Sequence, residues 1–175
     1  MDRFLADVQG RAFRIAQISV RDRDDALDIV QDTMIRLVKS YAARPAEEWK
    51  PLFYRILKNR IVDHQRRQTL KRRVFGWLER RSDGEDPPDP VDQAADGEHA
   101  RPDHRAQVGG AMQALEQAVH ALPARQQQAF LLRALEGLDV AETAAAMGCS
   151  DGSVKTHYSR AVHSLRETLG EHWHD

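Results

Sequence analysis

The sequence contains a single cysteine, Cys149, among its 175 residues, so no disulfide can form within the chain. A chain without disulfides is typical of a reducing compartment. The sequence also lacks any run of about 20 apolar residues, the length that a helix needs to cross the hydrocarbon core of a membrane. Its first residues lack the continuous apolar segment of a secretory signal peptide. These absences predict a cytoplasmic protein that does not insert into a membrane.

Patterns that accompany catalysis are missing as well. We find no glycine-rich phosphate loop, no nucleophile with a matching base and no convincing spacing of metal ligands. The two histidines of the C-terminal "EHWHD" could bind a metal, but histidines in a terminal tail more often have no such role. The sequence therefore predicts a protein that is not an enzyme and that needs no metal or other cofactor.

The two signs of charge are nearly balanced overall, but they are unevenly distributed along the chain. The net charge of −1 arises from +8 in residues 1–81, −6 in residues 82–105 and −3 in residues 106–175. Such asymmetry predicts different partners for different segments. The middle segment is rich in Asp, Pro and Gly and holds almost no large apolar residue, so it cannot bury enough surface to fold. We predict a flexible linker there, with an extended reach of about 80 Å at ~3.3 Å per residue.

Elsewhere apolar residues recur at helical spacing, and we find no convincing alternation of the kind that strands show. One face of a first helix should carry Phe4, Val8, Ala12 and Ile15. A second helix should bury Ala26, Ile29, Val30, Thr33, Leu37 and Tyr41. A third, which Pro51 is expected to open, should turn inward Leu52, Ile56, Leu57 and Ile61. The prediction is an all-α fold, with small helical domains at residues 1–81 and 106–175 joined by a flexible acidic linker at residues 82–105.

The segment "AETAAAMGCSDGSVKTHYSRA", residues 142–162, has the pattern of a helix-turn-helix, with an ordinary helical hairpin as the alternative. Ala144 is the small residue where the helices touch, Gly148 the turn residue that tolerates a positive φ, and Val154 the apolar residue that fixes the second helix. We interpret Cys149 as a small filler of this turn, with a redox-sensing thiol as the alternative. The face that would meet DNA carries Ser153, Lys155, Thr156, His157, Ser159 and Arg160. Because only two of these side chains are fixed cations, this domain alone should bind DNA weakly.

A second candidate DNA-binding surface lies in residues 55–73, "RILKNRIVDHQRRQTLKRR", which hold eight basic residues and one acid. With the apolar residues facing inward, the opposite face presents Arg55, Lys58, Asn59, Arg60, Asp63, Arg66 and Arg67. A run of charge is usually only a solvated face. Asn59 and Asp63, however, lie one turn apart within it, and both can hydrogen-bond base edges. We therefore favour a nucleic-acid surface.

Taken together, these motifs resemble a known family. The order "DALDIVQDTMIRLVKSY", "LFYRILKNRIVDHQRR", an acidic linker and "LPARQQQAFLLRALEGLDVAETAAAMGCSDGSVKTHYSRAVHSLRETL" is similar to that of the extracytoplasmic-function class of bacterial RNA polymerase sigma factors. The resemblance covers nearly the whole chain. It implies a protein that directs core polymerase to selected promoters, recognises their −10 and −35 elements and initiates transcription, in response to a stress or envelope signal.

The resemblance also implies partners and roles. Core polymerase would bind through its β′ clamp helices and its β subunit, and the clamp surface would comprise Asp28, Gln31, Asp32, Ile35 and Arg36. Without the family, those residues would be taken as an exposed acidic face. The loop around residues 40–50 would capture a flipped base of the −10 element. Asn59 and Asp63 would read that element, the basic residues beside them would hold phosphates, and the helix-turn-helix would read the −35 element. An anti-sigma factor would hold the activity down.

Two positions depart from the pattern of the family. A Trp often begins the −10 helix, where this chain has Leu52, and Trp49 is expected to replace it in packing. The recognition helix often carries a further Arg near its end, where this chain has Val162. Two other functions remain as alternatives: a stand-alone regulator that uses only the C-terminal module, and a protein-binding adaptor. The first leaves the N-terminal half unexplained, and the second leaves the basic face unexplained.

Overall fold

The structure, a computed structural model, describes residues 1–83 and 108–170. Helices account for nearly all of these residues, and no strand occurs among them. The elements are α1 (Asp2–Val20), α2 (Arg23–Tyr41), α3 (Ala46–Asp83), α4 (Val108–Ala121), α5 (Ala124–Phe130), a π-helical turn (Leu131–Leu135), α6 (Val140–Met147) and α7 (Asp151–Leu169). The predicted all-α class is confirmed. Of the predicted linker, residues 82 and 83 belong to α3, and residues 84–105 lie outside the described residues.

Helices α1 and α2 bury the faces that their periodicity predicted. Val8, Ala12 and Ile15 of α1 are buried, and Phe4 packs half-buried at the edge of the core. In α2 the predicted stripe is buried from Ala26 to Leu37, and its last residue, Tyr41, is half-buried. The side chain of Asp22 caps α2 by accepting a hydrogen bond of 2.8 Å from the backbone N–H of Asp25, which settles the start of this helix.

Helix α3 corrects two sequence-based expectations. It begins at Ala46, so Pro51 lies inside the helix instead of opening it. Acidic residues in the first turn favour the early start, because they interact well with the helix dipole. The largest buried side chains of α3 are Phe53 and Tyr54, whereas Leu52 and Ile56, which were expected to face inward, are only half-buried.

Aromatic packing explains which residues α3 buries. The ring of Phe53 meets those of Phe4 and Tyr54 edge to face, at centroid distances of 6.0 and 5.2 Å. Trp49 also packs on Phe4, at a ring-centroid distance of 6.0 Å. Its indole Nε1 donates a 2.9 Å hydrogen bond to the carbonyl of Arg44. These contacts shorten the loop expected at residues 40–50 to residues 42–45.

The C-terminal helices form the predicted helix-turn-helix. Asp139 and Glu142 close a reciprocal capping box at the start of α6. Gly148 ends α6 in the left-handed conformation, with φ of 65°, and Ser150 caps α7 by accepting a 3.2 Å hydrogen bond from the N–H of Ser153. Val154 is almost fully buried, as the motif requires. An independent hairpin would not need this combination of turn, cap and buried aliphatic residue.

The two groups of helices also pack against each other. Helix α1 contacts α4, and α3 contacts α6. Ile15, Leu57 and Ile61 line an apolar cleft together with Leu131 and Leu132. The buried residues of α1–α3 and α4–α7 therefore form one continuous core. The sequence predicted a tether between the two parts, but it did not predict this contact.

None of the helices that the structure describes is both long enough and apolar enough to cross a bilayer.

The turn of the helix-turn-helix allows a direct test. We expect Gly148→Ala to destabilise the protein by about 1–2 kcal/mol, because a Cβ is disfavoured on left-handed backbone. Gly152→Ala is the matched control, since its new Cβ would meet only Ser150 Oγ at 3.9 Å in ordinary helical backbone. The control should leave the free energy of unfolding unchanged or raise it by up to ~1 kcal/mol. Urea unfolding followed by circular dichroism measures both changes, and equal values for the two variants would contradict the assignment.

Candidate nucleic-acid interface

The outward face of α3 carries most of the residues that the sequence predicted for the −10 surface. Spacings of three and four residues place them along one side of the helix. The fully exposed members are Arg55, Asn59, Asp63, Arg66 and Arg67. Asn59 and Asp63 lie one turn apart in the middle of this face, with arginines around them. A polar centre surrounded by cations can meet both bases and phosphates.

Lys58 and Arg60 flank that face, and each already has a partner within the protein. Lys58 Nζ lies 3.4 Å from the backbone carbonyl oxygen of Met147, at the end of α6. Arg60 forms an ion pair of 3.9 Å with Asp32 of α2. Partial burial, together with the nearby Arg125 and Arg55, lowers the pKa of Lys58 below its ordinary value. The charged form of the Lys58 side chain is therefore less stable at this position than it would be in water.

The second helix of the helix-turn-helix, α7, exposes a continuous polar face. Lys155, Thr156, Ser159 and Arg160 are exposed, as predicted. Ser153 and His157 are half-buried, and the hydroxyl of Ser153 lies 3.0 Å from Ser150 Oγ. The hydroxyl of Thr156 donates a 2.9 Å hydrogen bond to the carbonyl of Gly152, so toward DNA it acts as an acceptor.

Two residues that the sequence analysis did not select continue the same face of α7. His163 and Arg166 follow Ser159 at helical spacing, and both are exposed. His163 Nε2 lies 3.4 Å from a carboxylate oxygen of Glu167. Arg166 adds a third fixed cation one turn beyond Val162, the position where the family often has an arginine. The helical spacing of His163 and Arg166 was visible in the sequence. Their place on this face becomes clear only because α7 continues to Leu169.

Helix α2 exposes a third surface, which combines apolar and acidic residues. The predicted polymerase-binding residues Asp28, Gln31, Asp32, Ile35 and Arg36 are all exposed. Leu27 and Val38 lie beside them, and Ile35 exposes 45% of its surface. Three large apolar side chains that share one face of a helix with acidic residues are unusual for a surface that only meets water.

No group of three or more His, Cys, Asp or Glu residues that could hold a metal ion occurs in residues 1–83 and 108–170. The histidines of the "EHWHD" tail lie outside the described residues.

Helix-turn-helix geometry and a second basic helix together define a DNA-binding protein, and comparison with known proteins defines its family. A model of sigma-70 region 2 matches residues 1–71, and a model of sigma-70 region 4 matches residues 112–165. The RNA polymerase sigma factor SigV of Bacillus subtilis is 31% identical over 160 residues, which cover 90% of this chain and 83% of that protein. The chain therefore belongs to the sigma-70 family of RNA polymerase sigma factors, in its extracytoplasmic-function class.

Other comparisons agree with this result. The ferric citrate uptake sigma factor FecI of Escherichia coli is 29% identical over 138 residues, which cover 79% of this chain and 72% of that protein. The fold is similar to that of the sigma factor RpoE from Bartonella quintana, solved in complex with the anti-sigma factor NepR. That similarity has a TM-score of 0.65 at 24% identity and covers 97% of this chain and 96% of the other. As a sigma factor, the chain directs core RNA polymerase to promoters and initiates transcription.

Proposed function

We propose that three separate faces of this sigma factor carry its three contacts. In this assignment the α2 face binds the β′ clamp helices, the α3 face binds the −10 element, and the α7 face binds the −35 element. The observation that carries the proposal is that most residues of all three faces are exposed, and that each face has side chains complementary to its proposed partner. The protein acts in the cytoplasm, beside the polymerase and the chromosome. It is not an enzyme, because it positions the polymerase and performs no chemistry itself.

The apolar stripe of α2 supports the polymerase contact. Leu27, Ile35 and Val38 would each contribute a favourable free energy when a partner removes them from water, about 25 cal/mol for each Å² buried. Asp28 and Asp32 at the edge of the stripe would supply the orientation, since charged residues at the rim of an interface favour one register. An exposed acidic face alone would lack this apolar centre.

The −10 assignment rests on different roles for the peripheral and the central residues of the α3 face. Arginines at the periphery, Arg55, Arg66 and Arg67, would hold phosphates and set the register of the DNA. At the centre, Asn59 would both donate and accept hydrogen bonds at base edges, and the Asp63 carboxylate would accept them. The short segment at residues 42–45, which precedes α3, would receive the base that leaves the stack when the DNA melts.

The −35 assignment places the first turns of α7 in the major groove, as helix-turn-helix proteins do. Lys155 and Arg160 can meet guanine edges, while Thr156 and Ser159 can meet either bases or phosphates. Arg166 lies about 10 Å farther along the axis than Ser159, so it would reach a phosphate instead of a base. Few cations give weak binding, and the polymerase offsets this by holding both DNA-binding domains at one promoter.

An anti-sigma factor completes the proposal. The sigma factor of similar fold was solved with such a partner, which supports the proposal of one for this chain. A partner that covered α2 or α3 would prevent binding of the polymerase or the −10 element. Purification of the chain from its host with only polymerase subunits attached would contradict this part of the proposal.

Run-off transcription tests the proposed function as a whole. Purified core polymerase is incubated with fragments of the host genome, with and without this protein. We expect discrete start sites only when the protein is present, and their upstream sequences would reveal both promoter elements. If no start sites appear and the free protein binds specific DNA tightly, the protein acts as a stand-alone regulator.

The α2 face allows a specific prediction. Ile35→Ser should weaken the binding of core polymerase about tenfold or more, because it removes an apolar side chain from the centre of the contact. The free energy of unfolding should change by no more than ~0.5 kcal/mol, since the side chain is exposed. Met112→Ser removes a similarly exposed side chain from α4 and should leave polymerase binding unchanged. Titration of labelled core polymerase measures both affinities, and an equal loss in the two variants would place the contact elsewhere.

Arg166 allows a second prediction. Arg166→Ala should reduce the slope of log K against log salt by about 0.9 on duplex promoter DNA, the amount expected for one lost phosphate contact. The loss should be similar for promoters of different −35 sequence, because phosphates carry no sequence information. Arg3→Ala removes an exposed arginine of α1 and should leave the slope unchanged. A loss that depended on the −35 sequence would show that Arg166 reads a base instead.

A further inference from the structure

Glu136, just after the π-helical turn, is a buried carboxylate that belongs to one domain and is neutralised by the other. Its side chain has no exposed surface. Arg11 Nε of α1 donates a 2.7 Å hydrogen bond to Oε2, and Lys50 Nζ of α3 lies 3.6 Å from Oε1. Both partners come from the N-terminal helices, so the side chain of Glu136 contributes to the contact between the domains.

Because of the surroundings of Glu136, removing its cationic partners while it stays buried would be costly. A buried carboxylate that loses its cations is strongly unfavourable. The hydroxyl of Tyr54 is also buried at this contact, and neither it nor Glu136 Oε1 has a hydrogen-bond partner. Burial raises the pKa of Tyr54, and the neighbouring Glu136 carboxylate raises it further. When the domains separate, water can reach all of these groups, so the site favours two states: closed and paired, or open and hydrated.

A second contact engages a residue that the proposed function assigns to DNA. Lys58 and Arg125 both approach the carbonyl oxygen of Met147, at 3.4 and 3.1 Å. This carbonyl lies at the C-terminal end of α6, where cations are favoured. Lys58, which flanks the proposed −10 face, is thus used against the helix-turn-helix. Lys50 is used against Glu136, but it precedes Asn59 by nine residues and so lies on the opposite, core-facing side of α3.

The distance between promoter elements shows that this arrangement must open. Elements centred near −10 and −35 are about 25 base pairs apart, or roughly 85 Å of duplex at 3.4 Å per base pair. Here the −10 helix and the helix-turn-helix are in direct contact, with α3 packed on α6. One closed chain therefore cannot occupy both elements. The residues between the domains reach about 80 Å when extended, at ~3.3 Å per residue, so together with the lengths of the two domains they can span such a separation.

We propose that Glu136 is a latch that holds the free sigma factor closed, so that its own C-terminal domain masks one edge of the −10 surface. The latch is released when the domains separate on polymerase and promoter. The masking rests on the proposed role of α3 in DNA binding, whereas the latch itself does not. The mask is one-sided, since Arg55, Asn59 and Asp63 stay exposed while Lys58 is engaged.

The first experiment measures closure without DNA or polymerase. Labels are attached at Arg3→Cys and Glu167→Cys in a Cys149→Ser background, and electron-spin resonance gives the distance distribution. We expect one narrow, short distance in the otherwise unchanged chain, and a longer and broader distribution after Glu136→Gln. Arg11→Gln should have the same effect, and the double variant should resemble either single variant, because both changes break one contact.

The matched control is Glu116→Gln. Glu116 also crosses the domain contact, through a 2.6 Å ion pair with Arg14, but both side chains are more than 40% exposed. Exposed pairs contribute little to stability, so this variant should remain closed. A long or broad distribution in the unchanged chain would overturn the closed state. A short distance in both Glu136→Gln and Arg11→Gln would overturn the latch.

The second experiment measures masking with single-stranded DNA of mixed sequence, roughly 20 nucleotides long. Release of Lys58 should steepen the slope of log K against log salt by about 0.7 in Glu136→Gln, the amount expected for one phosphate contact. Affinity at low salt should rise by about tenfold, according to the fraction of chains that open. Opening without any change in slope would overturn the masking. If Glu136→Gln opens the domains but the protein gives no transcripts with core polymerase, the latch stands and the proposed function is contradicted instead.

Discussion

The contact of Glu136 with Arg11 and Lys50 is the interaction on which the arrangement of this sigma factor depends. A carboxylate without solvent exposure needs opposite charge nearby, and both cations come from the other domain. The apolar cleft beside it, lined by Leu57 and Leu131, is formed by residues of both domains. Charge pairing therefore fixes the register, and apolar burial supplies the favourable free energy.

Several residues of the three functional faces have partners within the chain as well as proposed partners outside it. Lys58 contacts the carbonyl of Met147, and Arg60 pairs with Asp32, which joins the proposed DNA face to the proposed polymerase face. An external contact of Lys58 or Arg60 would replace an internal one, so the net gain is smaller than the contact alone would give. Under the proposed function the free chain would therefore bind DNA poorly, although its binding residues are present.

Hydrophobic periodicity predicted the elements of this fold well and their contacts poorly. A period of 3.6 residues shows which side of α1 or α2 is apolar, and the helix-turn-helix follows from the fixed spacing of Ala144, Gly148 and Val154. Periodicity does not show what covers an apolar side. The same limit hid the burial of Tyr54, which was not among the residues of α3 expected to face inward. Glu136 reads as an ordinary surface acid in sequence, because its cations lie 125 and 86 residues away in the chain.

The faces that stay open in the closed chain imply an order of events. Ile35 on α2 and Lys155 on α7 are exposed in this state, whereas Lys58 beside the proposed −10 surface is engaged. If α2 binds core polymerase as proposed, that contact can form before the domains separate. Separation would then free Lys58 only once the chain is held on the polymerase, where the local concentration of promoter DNA is high. Under this proposal a recognition helix with few cations is sufficient, because α7 would have to find its element only from a position that the polymerase has already set.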